Sequence, residues 1–272
     1  MHTAVIDGIT LEYEVAGTGE PVVFIHGALV ADFFRPLLAE PGLVGRYRLI
    51  LYHRRGYAGS THTADPVTIA QQAADCRALL RHLGIERAHV VGHSYGGSVA
   101  LQLATDFPEV ARSLALLEPA FVGGPSAQEY RDALAKARAR YREAGAAVVI
   151  DAFLKSRFGA DYRALLDRVL PGGFAQAVAD AKTFFELEIP GLSSWVFGET
   201  EVRRIRQPVL SVLGGESDAL WPRFGETHHL LLQWLPHAEG FVLPGATHAL
   251  PLQNPRGMAE ALAAFLGHHP LR

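Results

Sequence analysis

The pentapeptide Gly92-His93-Ser94-Tyr95-Gly96 carries the clearest chemistry in the chain. An apolar pair, Val90-Val91, leads into it, and a run of small residues (Gly97, Ser98, Ala100, Ala104) leads out. A serine on a tight strand-to-helix turn has its side chain pushed outward. Flanking glycines let strand and helix approach without a Cβ clash. The helix N-terminus behind such a serine offers N–H groups and a positive dipole end to a developing oxyanion. A free hydroxyl is a poor nucleophile near neutral pH, so the serine needs a base. Of the 13 histidines, His248 has the right position. It follows the last apolar run in Leu243-Pro244-Gly245-Ala246-Thr247-His248, on a loop that returns to the edge where Ser94 sits.

Such a base needs a carboxylate to orient its imidazole. Two candidates sit just after apolar runs. Asp218 lies in Gly215-Glu216-Ser217-Asp218, with Pro222 four residues on, and Glu118 lies in Leu116-Leu117-Glu118-Pro119. Functional groups gather at carboxyl strand ends in open α/β sheets. Each acid also has a plain reading as a loop acid or a salt-bridge anchor, so both stay open. Metal chemistry fits poorly. His228-His229 and His268-His269 are adjacent pairs whose rings cannot face each other on a helix. His89 and His93 lack carboxylate companions at ligand spacing. No G-x-G-x-x-G follows a first strand and no Walker segment occurs, so neither a metal nor a cofactor is expected.

Strands and helices alternate along most of the chain, which predicts a mostly parallel sheet covered on both faces. Residues 3–16 read as a hairpin turning at Asp7-Gly8. Strand runs follow at 21–26, 48–52, 89–91, 113–117, 209–213 and 240–243. Residues 65–83 read as a helix with Asp65 as N-cap, Pro66 in the first turn and Gly84 as the stop. Cys76 lies on its apolar stripe and reads as a core thiol. The final helix opens at Asn254-Pro255. Residues 121–205 carry no strand run. They read as a helical cap inserted into a core made of residues 1–120 and 206–272, with Ser126 and Glu129 at capping-box spacing. Phe153, Phe158, Phe174, Phe184, Phe185, Trp195 and Phe197 supply its aromatics.

Composition agrees with a large folded domain. The chain has 272 residues, 49% of them hydrophobic and 19% charged, which excludes a disordered or fibrous protein. The net charge of −3 requires no nucleic-acid or anionic-membrane partner. One cysteine excludes an internal disulfide framework and a Cys-based zinc site. No signal peptide and no membrane-length apolar run is visible, so a cytoplasmic protein is expected. The oligomeric state is not readable.

With these residues in place, the whole chain resembles the α/β-hydrolase family. His26-Gly27 resembles the family's oxyanion-loop dipeptide. That match implies an oxyanion hole built from the backbone N–H groups of Ala28 and Tyr95. Arg55-Gly56-Tyr57-Ala58-Gly59-Ser60 resembles the family's R-G-x-G-x-S segment, with Ala58 for the middle glycine and His53 where an aspartate is usual. The order Ser94, acid, His248 is the family's order. Most members place the acid at the position of Asp218, and the local pattern favours it. Certain lactone hydrolases and haloalkane dehalogenases use the position of Glu118. The resemblance implies an eight-stranded, mostly parallel sheet and a serine hydrolase. The aromatics of the expected cap and the near-neutral charge suggest a small to medium, uncharged hydrophobic ester, lactone or thioester as substrate. The same residues suit C–C bond hydrolysis, cofactor-free perhydrolysis of the haloperoxidase kind, or a small-ligand receptor.

Overall fold

The central apolar runs become strands because they are buried on both faces. In the computed structural model, which describes residues 1–121 and 123–271, Val22, Val23, Phe24 and Ile25 are at most 1% exposed. Residues 122 and 272, which fall within the expected cap and at the end of the expected core, lie outside the described residues. The strands are β1 (His2–Ile6), β2 (Ile9–Ala16), β3 (Glu20–Ile25), β4 (Tyr47–Tyr52), β5 (Ala88–His93), β6 (Ala111–Leu117), β7 (Val209–Gly214) and β8 (Ala238–Leu243). They form one sheet in the order β1-β2-β4-β3-β5-β6-β7-β8. The β1–β2 hairpin and the β2–β4 pair are antiparallel, and the other pairs are parallel. Helices cover both faces, as a parallel sheet demands.

Register decides what meets at the carboxyl edge. Ile25 pairs with Gly92, His93 with Leu117, Leu117 with Val212, and Gly214 with Leu243. The residues that follow β3, β5, β6, β7 and β8 therefore crowd one edge of five neighbouring strands. Those residues include Ala28, Ser94, Glu118, Asp218 and His248.

Two helix starts differ from their sequence reading. The first long helix spans Ile69–His82, and its cap is Thr68, whose hydroxyl accepts the Gln71 N–H at 3.1 Å. The Val67 N–H donates to Leu187 O at 3.1 Å, and that tertiary bond holds the chain extended past Asp65-Pro66. Ser126 precedes the helix Ala127–Ala144 but makes no capping bond. Its hydroxyl donates to Glu226 Oε1 at 2.8 Å and receives Arg223 instead, so contacts from another element displace the capping box. Asn254 does cap its helix, accepting the Gly257 N–H at 2.9 Å. Cys76 is fully buried, and burial pushes its thiol up to about 12.

Between β6 and β7 the chain is helical: Ala127–Ala144, Ala146–Phe158, Tyr162–Val169, Gly173–Ala179, a π-helical turn at Thr183–Glu188, Ile189–Ser194 and Glu199–Val202. Among the described residues, no helix is long and apolar enough to cross a membrane.

Ala58 sits at φ +46°, in the left-handed region where its side chain is strained. A glycine there relieves a strain of about 1–2 kcal/mol and gives back part of it as unfolded-state entropy. Ala58→Gly is therefore expected to stabilise the fold by roughly 0.5–1 kcal/mol, read as a higher urea midpoint with an unchanged slope. A lower midpoint would count against strain at this turn.

Candidate active site

Ser94 stands between β5 and the helix Tyr95–Asp106 with φ +50° and ψ −120°, a conformation that costs a non-glycine residue of order 1–3 kcal/mol. Its surroundings explain how so sharp a turn fits. A Cβ on Gly96 would stand 2.0 Å from Ile25 O, and one on Gly92 would stand 2.5 Å from Gly96 O. Only glycine lets strand and helix come this close. Tyr95 opens the helix, so its N–H has no carbonyl four residues back within the helix. Gly27 packs against Ser94: a Cβ built there would lie 3.0 Å from Ser94 Cβ. The His26–Gly27–Ala28 loop thus borders the serine.

Hydrogen bonds hold that loop. The Arg54 N–H donates to His26 Nε2 at 2.9 Å, and His26 Nδ1–H donates to Gly27 O at 2.7 Å. The Arg54 guanidinium donates to His26 O and Gly27 O, each at 2.9 Å. Arg54 is 1% exposed and lies between the rings of Tyr57 and Tyr95. It pairs with the fully buried Glu188, which also accepts from Tyr57 OH at 2.6 Å and from Gln72 Nε2 at 2.8 Å.

His248 is buried, and its Nδ1–H donates to Glu118 Oε2 at 2.5 Å. The other Glu118 oxygen accepts the Gly214 N–H at 2.7 Å. Asp218, which the local pattern favours as partner, accepts the Gly225 N–H at 2.6 Å and so anchors the start of the helix Arg223–Trp234. Burial pushes the Glu118 carboxyl up to about 7, the Gly214 N–H opposes this, and the Asp218 charge adds to it. Burial also holds His248 well below the ordinary imidazole value, and the Arg157 cation pulls the same way. The imidazole is packed on both sides. Phe224 stacks on it with ring centres 4.3 Å apart, and His93 lies 4.4 Å away. His93 Nε2–H donates to His248 O at 3.0 Å while its ring stacks on Phe33 at 3.7 Å.

Ser94, Glu118 and His248 share the wall of one narrow cavity of about 30 Å³. Phe153 and Arg157 from the helix Ala146–Phe158 line it too, as do Trp221 and Phe224. A wider, open groove of about 730 Å³ lies over Glu12, Asp32 and His53 and shares no lining residue with this cavity. There His53, in the place of the family's aspartate, donates to Glu12 at 2.8 Å and to Asp32 at 3.2 Å. Among the described residues, no three His, Cys, Asp or Glu side chains are grouped to hold a metal. Arg54, Glu188, Phe33, Arg157 and Trp221 were not singled out by sequence. Arg157 had a weak signal, one helical turn after Phe153.

A relative, the dihydrolipoyllysine-residue acetyltransferase component of an acetoin cleaving system from Cupriavidus necator, is 36% identical over 136 residues, 50% of this chain and 36% of that protein. A putative carbamate hydrolase RutD from Azorhizobium caulinodans is 36% identical over 108 residues, 39% of this chain and 40% of that protein. The alignments thus span well under half the length of these curated relatives. The crystal structure of an enol-lactonase from Burkholderia xenovorans LB400 superposes with a TM-score of 0.84 at 22% identity, covering 98% of this chain and all of that one, a likeness of fold. The model of the alpha/beta hydrolase family matches residues 22–261, from β3 into the last helix and across every strand end described above, so the chain belongs to that family.

Proposed function

We propose that this protein is a serine hydrolase of ester-type bonds, whether ester, lactone or thioester. The observation that carries the reading is the 2.5 Å bond from His248 Nδ1 to Glu118, in a cavity wall shared with Ser94. Ser94 Oγ attacks the acyl carbon, and His248 Nε2 takes its proton. Glu118 keeps the proton of the imidazole on Nδ1 and stabilises the imidazolium. The N–H groups of Ala28 and Tyr95 receive the oxyanion, and one such donor is typically worth ~2.7–4 kcal/mol. His248 then returns the proton to the leaving group and activates water against the acyl-enzyme. The helices between β6 and β7 act as a cap that shuts bulk water out. The similarity to a carbamate hydrolase supports hydrolysis of an acyl bond.

The test is covalent. A fluorophosphonate is expected to label the protein once, on the peptide carrying Ser94, and to abolish turnover of p-nitrophenyl esters. Ser94→Ala should neither label nor turn over. An unlabelled, inactive wild type that still binds short esters would make it a ligand receptor instead.

A further inference from the structure

One feature of the cavity does not belong to the proposed Ser94–His248–Glu118 chemistry. Arg157 lines it, half-buried, with its guanidinium 3.6 Å from the centre of the Trp221 ring and 5.2 Å from that of Phe153. Its hydrogen bond is a long one, 3.4 Å, to the neighbouring Ser156 hydroxyl. Among the described residues, no carboxylate lies within ion-pair distance of it. The cavity's other arginine differs. Arg223 donates to Ser126 and to Phe121 O, and it lies 3.8 Å from Glu226. Arg223 thus has an acid and backbone carbonyls for partners, while Arg157 faces no carboxylate among the described residues.

A cation partly withdrawn from water without an anion is costly, and aromatic faces repay part of that cost. Burial lowers the Arg157 guanidinium to about 10, so it is still charged at neutral pH. Its charge also works against His248, since it opposes the imidazolium that the proposed mechanism must form. An anion bound at Arg157 removes that opposition.

We infer that Arg157 receives a carboxylate carried by the substrate, so that the preferred substrate is a short ester or lactone with an acid group on its acyl part. This rests on the serine hydrolase reading and narrows it, away from the uncharged substrate that composition suggests. A guanidinium flanked by two rings still presents its edge, which matches a carboxylate in a two-point bond. Binding that carboxylate cancels the charge opposing His248, so the base strengthens only when the acidic substrate is in place. The tight cavity favours a short chain between acid and scissile carbonyl. Entry must part the helix Ala146–Phe158 from Trp221.

The experiment compares mono-p-nitrophenyl glutarate with p-nitrophenyl pentanoate, which has a similar acyl length and no charge. Wild type is expected to favour the glutarate in kcat/KM by about tenfold or more. Arg157→Met should reduce that ratio at least about tenfold, chiefly by raising KM for the glutarate, and Arg157→Lys should retain part of it. A wild type that favours the pentanoate, or a ratio that Arg157→Met leaves unmoved, overturns the inference. Titration calorimetry of free glutarate into Ser94→Ala, with and without Arg157→Met, reads the anion site without catalysis. Binding that depends on Arg157 supports the site even if no ester is turned over, which would then count against the hydrolase reading alone. Binding indifferent to Arg157 overturns the site.

Discussion

Glu118→Gln is expected to lower kcat by roughly 10³–10⁴-fold, while Asp218→Ala stays within a few-fold of wild type. The amide retains an oxygen for the Gly214 N–H, so the backbone around β7 is kept. What it loses is the charge, and its NH₂ can turn to donate to Nδ1. The imidazole then carries its hydrogen on Nε2, where Ser94 needs a lone pair. Asp218 holds the Gly225 N–H, so its removal should cost stability of about 1 kcal/mol through the start of the Arg223–Trp234 helix, with the base untouched. Steady-state kinetics with thermal melts separate the two effects. Collapse of Asp218→Ala with survival of Glu118→Gln would assign the acid the other way.

The same pair sets the pH dependence. Burial disfavours both the glutamate anion and the imidazolium, so the first proton to arrive as pH falls is shared by the pair and enters near 7, high for a carboxyl. A proton on Glu118 would be donated to Nδ1 and would leave the hydrogen on Nε2, and a proton on the imidazole removes the base outright. Either way kcat/KM should fall about tenfold per unit below a midpoint near 7. An acid limb near the ordinary carboxyl value of 4.5 would mean that burial does not raise the first protonation of this pair.

How much of this was legible depends on how far each signal reaches along the chain. Ser94 announces itself because its turn needs Gly92 and Gly96 as immediate neighbours. His248 does so because loop position after the last strand is a property of chain order. The acid is harder. Glu118 and Asp218 both follow strands that lie side by side, since Leu117 pairs with Val212, and spacing alone gives each the same claim. Only the side-chain directions separate them, and those come from backbone detail such as the φ of +44° at Glu118. Helix starts differ from local spacing where a partner far away in sequence intervenes, as Leu187 does at Val67 and Glu226 does at Ser126. Arg157 looks in sequence like any helical arginine; its meaning comes from Trp221, which a separate connection brings against it.

Arg54 and Glu188 are the extreme case, 134 residues apart and both buried. Burial alone would lower the Arg54 guanidinium, but the Glu188 carboxylate keeps it charged. Removing one partner strands the other charge in the core. Arg54→Met and Glu188→Met are each expected to cost about 3–5 kcal/mol, a large share of the 5–15 kcal/mol by which proteins of this kind are stable. The double variant should recover much of that, because two matched apolar side chains in a dry site often equal or exceed a buried ion pair. Activity should not recover with it. Arg54 also donates to His26 O and Gly27 O, and no methionine can replace those bonds to the loop beside Ser94. Urea midpoints and kcat for the two single variants and the double therefore diverge: stability returns and turnover stays low. If both return, Arg54 serves the core alone. If a single variant melts within about 1 kcal/mol of wild type, the pair is not the desolvated bridge that its burial describes.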